Sequence, residues 1–149
     1  VALPTALIPL TTAALAHASV LLTVILGTPG GLGIPIGLAV PLVMYFGYRK
    51  TSRFIAFHAL QAFVYQVVGT IGIASLGALV AIAWAISGTL SAILIGLLLM
   101  PLALSLTLLL LAAIIAWFVY GLYAAYQVYQ GNDFRYWLIG ERLEEEVTL

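Results

Sequence analysis

Ala92 to Gln130 reads AILIGLLLMPLALSLTLLLLAAIIAWFVYGLYAAYQVYQ, without one charged residue. A water-soluble domain cannot bury so long an apolar run and still cover itself with polar groups, so the solvent of this segment is lipid. The same condition extends outward. No Asp, Glu, Lys or Arg stands between Arg53 and Asp133, and none before Arg49. Of the 149 residues 64% are hydrophobic and 7% charged, against about 25% charged in an ordinary soluble domain. The mean hydropathy of +1.21 completes the prediction of an integral membrane protein.

In hydrocarbon each backbone N–H and C=O must find its partner inside the protein, which makes helices the default. With about 20 apolar residues needed per span, the chain divides into an all-α bundle of four transmembrane helices near 12–27, 32–48, 54–86 and 92–130. Thr11 and Thr12 are expected to cap the first, and Thr28-Pro29-Gly30-Gly31 reads as a tight turn. Pro35 and Pro41 predict a kink in the second span, and Pro101 one in the fourth. The third segment is about 50 Å long as one helix, more than a core of roughly 30 Å. It must therefore tilt or begin at the interface. Ser87 to Ser91 is the expected second outer turn, and Gly131-Asn132 the helix stop. Residues 1–132 are thus expected to form the transmembrane domain, and 133–149 an interfacial tail.

Four spans put the N-terminus, the loop 49–53 and the tail on one side. Every Lys and Arg lies there, which makes that side cytoplasmic and predicts an N-in, C-in protein of the bacterial plasma membrane. A fifth span, made by splitting the last segment at Pro101, would scatter Arg135 and Arg142 to the opposite face. Ala16-His17-Ala18 imitates a signal-peptide cleavage site, but the positive n-region is missing. Helix-bound membrane subunits and the lipid bilayer are the expected partners. The balanced charge leaves no basic stripe for nucleic acid.

The chemical inventory is thin. The absence of cysteine excludes thiolate chemistry, iron–sulfur clusters and Cys-bound zinc. There is no paired intramembrane carboxylate, no nucleophile beside a base, and no phosphate-cradling glycine loop. No catalytic residue, metal site or cofactor is expected, and the chain does not read as an enzyme. His17 and His58 enter from the same side at similar depth. They suit an interhelical hydrogen bond; bis-His cofactor ligation and proton transfer are the alternatives. His58, Gln61 and Tyr65 share one helical face, extended by Gly69 and Gly72. A polar start followed by small residues predicts a helix-packing stripe, with a substrate groove as the alternative. Trp117, Phe118, Tyr120, Tyr123, Tyr126 and Tyr129 form an expected interfacial belt. The tail mixes aromatics and charges, as if to lie on the membrane or on another subunit, and Glu144-Glu145-Glu146 reads as a solvated end.

Three stretches, Ala13 to Ser19, Phe57 to Ala62 and Tyr129 to Tyr136, resemble a family of small bacterial four-helix membrane proteins of unknown function. These are themselves similar to the channel-forming subunit of the chloroplast inner-envelope protein-import translocon. Members often have Pro after the arginine–tyrosine pair, where this chain has Trp137. The resemblance implies a four-helix architecture without enzymatic activity. The leading expectation is a non-catalytic accessory subunit of a larger membrane complex, with an energy-transducing, electron-transfer complex as one such assembly. A protein-translocation or channel component is the alternative, and a bis-His electron carrier the third reading.

Overall fold

The computed structural model describes residues 3–27 and 33–148, so the expected turn at Thr28 to Gly31 lies outside the described residues. The described chain is helical: α1 (Leu3–Ala18), α2 (Val20–Gly27), α3 (Gly33–Tyr48), α4 (Arg53–Leu90), a 3-10 turn (Ser91–Ile93), α5 (Ile95–Tyr129) and α6 (Gly140–Thr148). Three helical stretches, Leu7–Leu26, Arg53–Ile93 and Ile95–Tyr129, are long and apolar enough to cross a membrane. At 16 residues α3 is shorter, about 24 Å at 1.5 Å per residue.

The first helix begins well before Thr11 and Thr12. Their hydroxyls donate back to the carbonyls of Leu7 and Ile8 at 2.7 Å, so they are interior residues with satisfied side chains and not caps. Ser19 interrupts the α1–α2 ladder, and its hydroxyl donates to the carbonyl of Ala16 at 2.7 Å. At the start of α4 the Ser52 hydroxyl accepts the Ile55 amide at 3.4 Å, an N-cap arrangement. Helices run through Pro9, Pro41 and Pro101.

Two compact units make up the chain: Val1–Val68 with Phe118–Leu149, and Gly69–Trp117. In the first, α2 packs on α3, where Gly37 lets the Thr23 side chain against its backbone. Seams of small side chains bring helices together. Ala16, Ala59 and Ala62 form one buried cluster backed by Met44 and Tyr45, and Ala13, Ala14 and Val128 form another. Small residues allow backbones close enough for dispersion and side-chain hydrogen bonds to act, which is how helices associate in lipid. Gly121 of α5 lies against Val20 and Tyr65; a side chain there would begin 3.2 Å from Val20.

The second unit contains parts of α4 and α5. The Trp84 indole donates to the Thr107 hydroxyl at 2.9 Å. Gly69 faces the Trp117 ring, and Gly96 lies against the backbone of Ser87, Leu90 and Ser91. The reversal falls at Ser91–Leu94, a few residues beyond the expected Ser87–Ser91. Leu94 takes the left-handed conformation at φ 66°, and its amide donates to Ser91. Ser91 in turn bonds the Ser87 carbonyl at 2.7 Å, so the serines extend the helix through the place where composition alone predicts a turn.

A buried histidine pair latched by the returning tail

The Ala16–Ala59–Ala62 seam places two imidazoles face to edge in the interior. His17 and His58 are 1% and 0% exposed. His17 Nε2 lies 3.3 Å from His58 Nδ1, with ring centroids 5.4 Å apart. The expected meeting of the two side chains is observed. The arrangement spends one nitrogen of each ring on the other, where a bis-His cofactor needs both directed at a metal between them.

A third member comes from a part of the chain distant in sequence. Helix α5 ends in a Schellman motif: the Asn132 amide donates to Gln127 O and the Gly131 amide to Val128 O, both at 3.0 Å. Gly131 supplies the positive φ of 86° this needs, as its place in the sequence predicts. The chain then turns back, with the Phe134 amide donating to the Asn132 carbonyl at 2.9 Å, and the Asp133–Tyr136 segment lies against α4. Gln61, fully buried, holds it at two points. Its carbonyl accepts the Tyr136 amide at 3.0 Å, and its amide donates to the Phe134 carbonyl at 3.3 Å. Tyr136 is 2% exposed. Its ring stacks on Tyr65 at 4.1 Å and 4°, edge to Tyr120 and Phe134. Its oxygen reaches His17 Nδ1 at 3.0 Å.

Donors and acceptors in this chain run one way. Burial, with Tyr65 and Tyr120 beside it, pushes the Tyr136 phenol well above 10, so it keeps its proton, and the carboxylate facing His58 selects the polarity in which that proton is donated to His17 Nδ1. His17 then carries hydrogen on Nε2 and donates to His58 Nδ1. That leaves His58 with hydrogen on Nε2, which faces Asp133 Oδ1 at 4.0 Å. The opposite polarity would aim a lone pair of His58 at a carboxylate. His58 Nε2 has no hydrogen-bond partner among the described residues. Asp133 is anchored by Arg135, whose guanidinium also binds Glu144 of α6. Those bonds raise the Arg135 pKa further above its ordinary value. Glu144 is therefore an ion-pair partner, where composition reads it as a solvated end; the side chains of Glu145 and Glu146 lie outside the described residues.

A second polar layer follows on the same helices. Gln66 donates to Ser19 Oγ at 2.8 Å and accepts from Thr23 Oγ1 at 3.2 Å, and Ser19 also reaches the Gly37 carbonyl at 3.3 Å. Of the predicted packing residues, His17, His58, Gln61 and Tyr65 gather in the first layer, and Gly69 meets Trp117. Gly72 is exposed, and no atom stands within 4 Å of where its side chain would begin. No helix among the described residues packs there, so Gly72 lies on the exposed face of α4. Sequence reasoning passed over Tyr136, Asp133, Gln66, Ser19 and Thr23. The cost of burying an amide or hydroxyl in an apolar helix was the available signal for the last three. Among the described residues no group of three or more His, Asp or Glu side chains is placed to hold a metal ion.

Hydrogen bonds between apolar helices, a charge-poor surface and long uncharged spans define a small helical membrane protein, one whose buried polar groups bind its own segments together. The profile of the MamF/MmsF family, the magnetosome magnetite crystal formation protein family, matches residues 10–143, and the chain belongs to it. No curated protein and no solved structure matches the chain. The likeness to the chloroplast translocon channel subunit finds no support. The expected electron-transfer complex is corrected by the family, which is one of magnetite crystal formation.

Proposed function

We propose that this chain is a non-catalytic accessory protein of the magnetosome membrane that takes part in magnetite crystal formation by associating with other membrane subunits. The family match across residues 10–143 carries the reading. The exposed surface supports it. Ile71, Leu79, Ile82, Leu98, Leu104, Leu108 and Ile115 all stand outward from α4 and α5, a surface for lipid and for neighbouring helices and not for a soluble substrate. The buried polar layers bond mainly to one another and hold the tail in place, which is a structural use of polar groups in a bundle.

With α3 as a short fourth span, accommodated by local thinning of the bilayer, the topology is N-in and C-in. All Lys and Arg then face the cytoplasm. Residues 28–32 and 91–94, on the side of the mineral, carry no charge. A carboxylate template for the crystal is thus absent from those stretches, and the chain acts on crystal growth indirectly. Purification from magnetosome membranes in mild detergent tests the accessory role, with stoichiometric co-migrating membrane proteins as the expected result. A chain that runs alone, or a deletion strain whose crystals keep their normal size and number, removes it. Cysteines placed at Ser91 and Glu141 should label from opposite sides of sealed vesicles.

A further inference from the structure

We propose that the groove between α1–α2 and α3 is a binding site for one anionic phospholipid, its acyl chain lying in the groove and its phosphate on the Arg49–Arg53 loop. The groove has a volume of about 520 Å³ and an almost wholly apolar lining that includes Leu15, Ala18, Leu22, Val40, Met44 and Tyr48. Helices α1–α2 and α3 run antiparallel, so the groove extends from Val40 and Leu22 at its deep end to Tyr48 at its mouth. Val40 to Tyr48 covers about 12 Å of helix, enough for the upper part of an acyl chain.

Charge complementarity selects the occupant. Tyr48 is followed directly by Arg49 and Lys50, and Arg53 opens α4. The loop is folded tightly, with the amides of Thr51 and Ser52 both donating to the Tyr48 carbonyl, at 3.0 and 2.8 Å. Its three cations therefore all fall within five residues of Tyr48, which lines the groove. All three are exposed, and none has a carboxylate partner among the described residues; Arg49 has only the Phe46 ring, 5.0 Å away. Arg135, by contrast, is taken by Asp133 and Glu144. A neutral lipid would fill the apolar groove and leave three cations uncompensated, and a free anion would meet the cations and leave the groove empty. A lipid with a net negative headgroup satisfies both. Basic loops at the cytoplasmic end of membrane helices gain about fivefold in affinity per cation near an anionic surface.

Native mass spectrometry of the full chain in detergent, titrated with phosphatidylglycerol or with phosphatidylcholine of the same acyl chains, tests the site. One phosphatidylglycerol should be retained at least about tenfold more tightly than phosphatidylcholine. The preference should vanish in Arg49→Gln/Lys50→Gln/Arg53→Gln, and Ala18→Trp or Val40→Trp should weaken both lipids alike. Equal retention of the two lipids by the unaltered chain overturns the proposal without reference to any variant. So does a preference that survives the triple substitution with helix content intact, or groove-filling variants that bind as before. Displacement of the phosphatidylglycerol by excess inorganic phosphate would show an anion site only, and would equally overturn it.

Discussion

Replacing Gln61 by Met preserves the length and approximate volume of the side chain while deleting both of its bonds to the returning tail. In the docked state the Tyr136 amide loses its acceptor at 3.0 Å and the Phe134 carbonyl its donor at 3.3 Å. A buried polar group left unsatisfied costs about 1–3 kcal/mol. The Tyr136 bond is buried and the Phe134 bond only partly so, which places the sum at about 2–4 kcal/mol. Water restores both bonds when the tail undocks, so the whole cost falls on the docking equilibrium. At 1.4 kcal/mol per tenfold, the undocked population rises by about 30- to 700-fold. Hydrogen exchange of the full chain in detergent, read on a peptide covering residues 131–139, measures this as faster exchange of the Tyr136 amide. Gln66→Met, which breaks only the second polar layer, should leave that amide nearly unchanged. If Gln61→Met alters its exchange by less than about threefold, Gln61 does not hold the tail and the latch is wrong.

Tyr136→Phe keeps the stack on Tyr65 but leaves His17 Nδ1 without its donor, and should cost about 1–3 kcal/mol in detergent or lipid unfolding. The Tyr136 phenol is raised in the folded state by burial, so the folded chain holds a proton that the unfolded chain releases near 10. Stability should therefore be level in this respect below pH 10 and fall by about 1.4 kcal/mol per unit above it; Tyr136→Phe should lack that component. Gly37→Ala drives a methyl into Thr23 and should cost about 1–3 kcal/mol. Combined with Thr23→Ala, measured by the same unfolding assay, the loss should be clearly less than additive. Leu94→Gly relieves the left-handed backbone at φ 66° and should raise stability by about 0.5–1 kcal/mol, since the Leu94 side chain is largely exposed.

Several features were legible before any coordinates. Helices, their apolar lengths and the stop at Gly131 follow from local rules: backbone satisfaction in lipid, and a glycine where the chain needs positive φ. The meeting of His17 and His58 followed from counting residues inward from one side. Local rules failed where two local solutions compete. Thr11 and Thr12 have the chemistry of caps, yet a threonine inside a helix satisfies its hydroxyl on the carbonyl four residues back, and both do so here. Ser87-Gly88-Thr89 reads as a turn, but the Thr89 hydroxyl donates to the Ala85 carbonyl and the Ser91 hydroxyl to the Ser87 carbonyl, and Gly96 leaves room for the backbone to reverse later.

The charge-free run from Ala92 to Gln130 by itself determined the solvent of this protein, and with it the helices, because an unsatisfied peptide group in hydrocarbon is too costly for any other answer. It did not determine where the tail goes. Asp133 to Trp137 has the same composition whether it lies on a membrane or inserts beneath it. What decides is whether a buried partner waits for each polar group, and those partners, Gln61, His17 and Tyr65, are distant in sequence. Only tertiary structure brings them together, through alanine seams that let α1 and α4 approach closely enough for the histidines to meet and for Tyr136 to close over them.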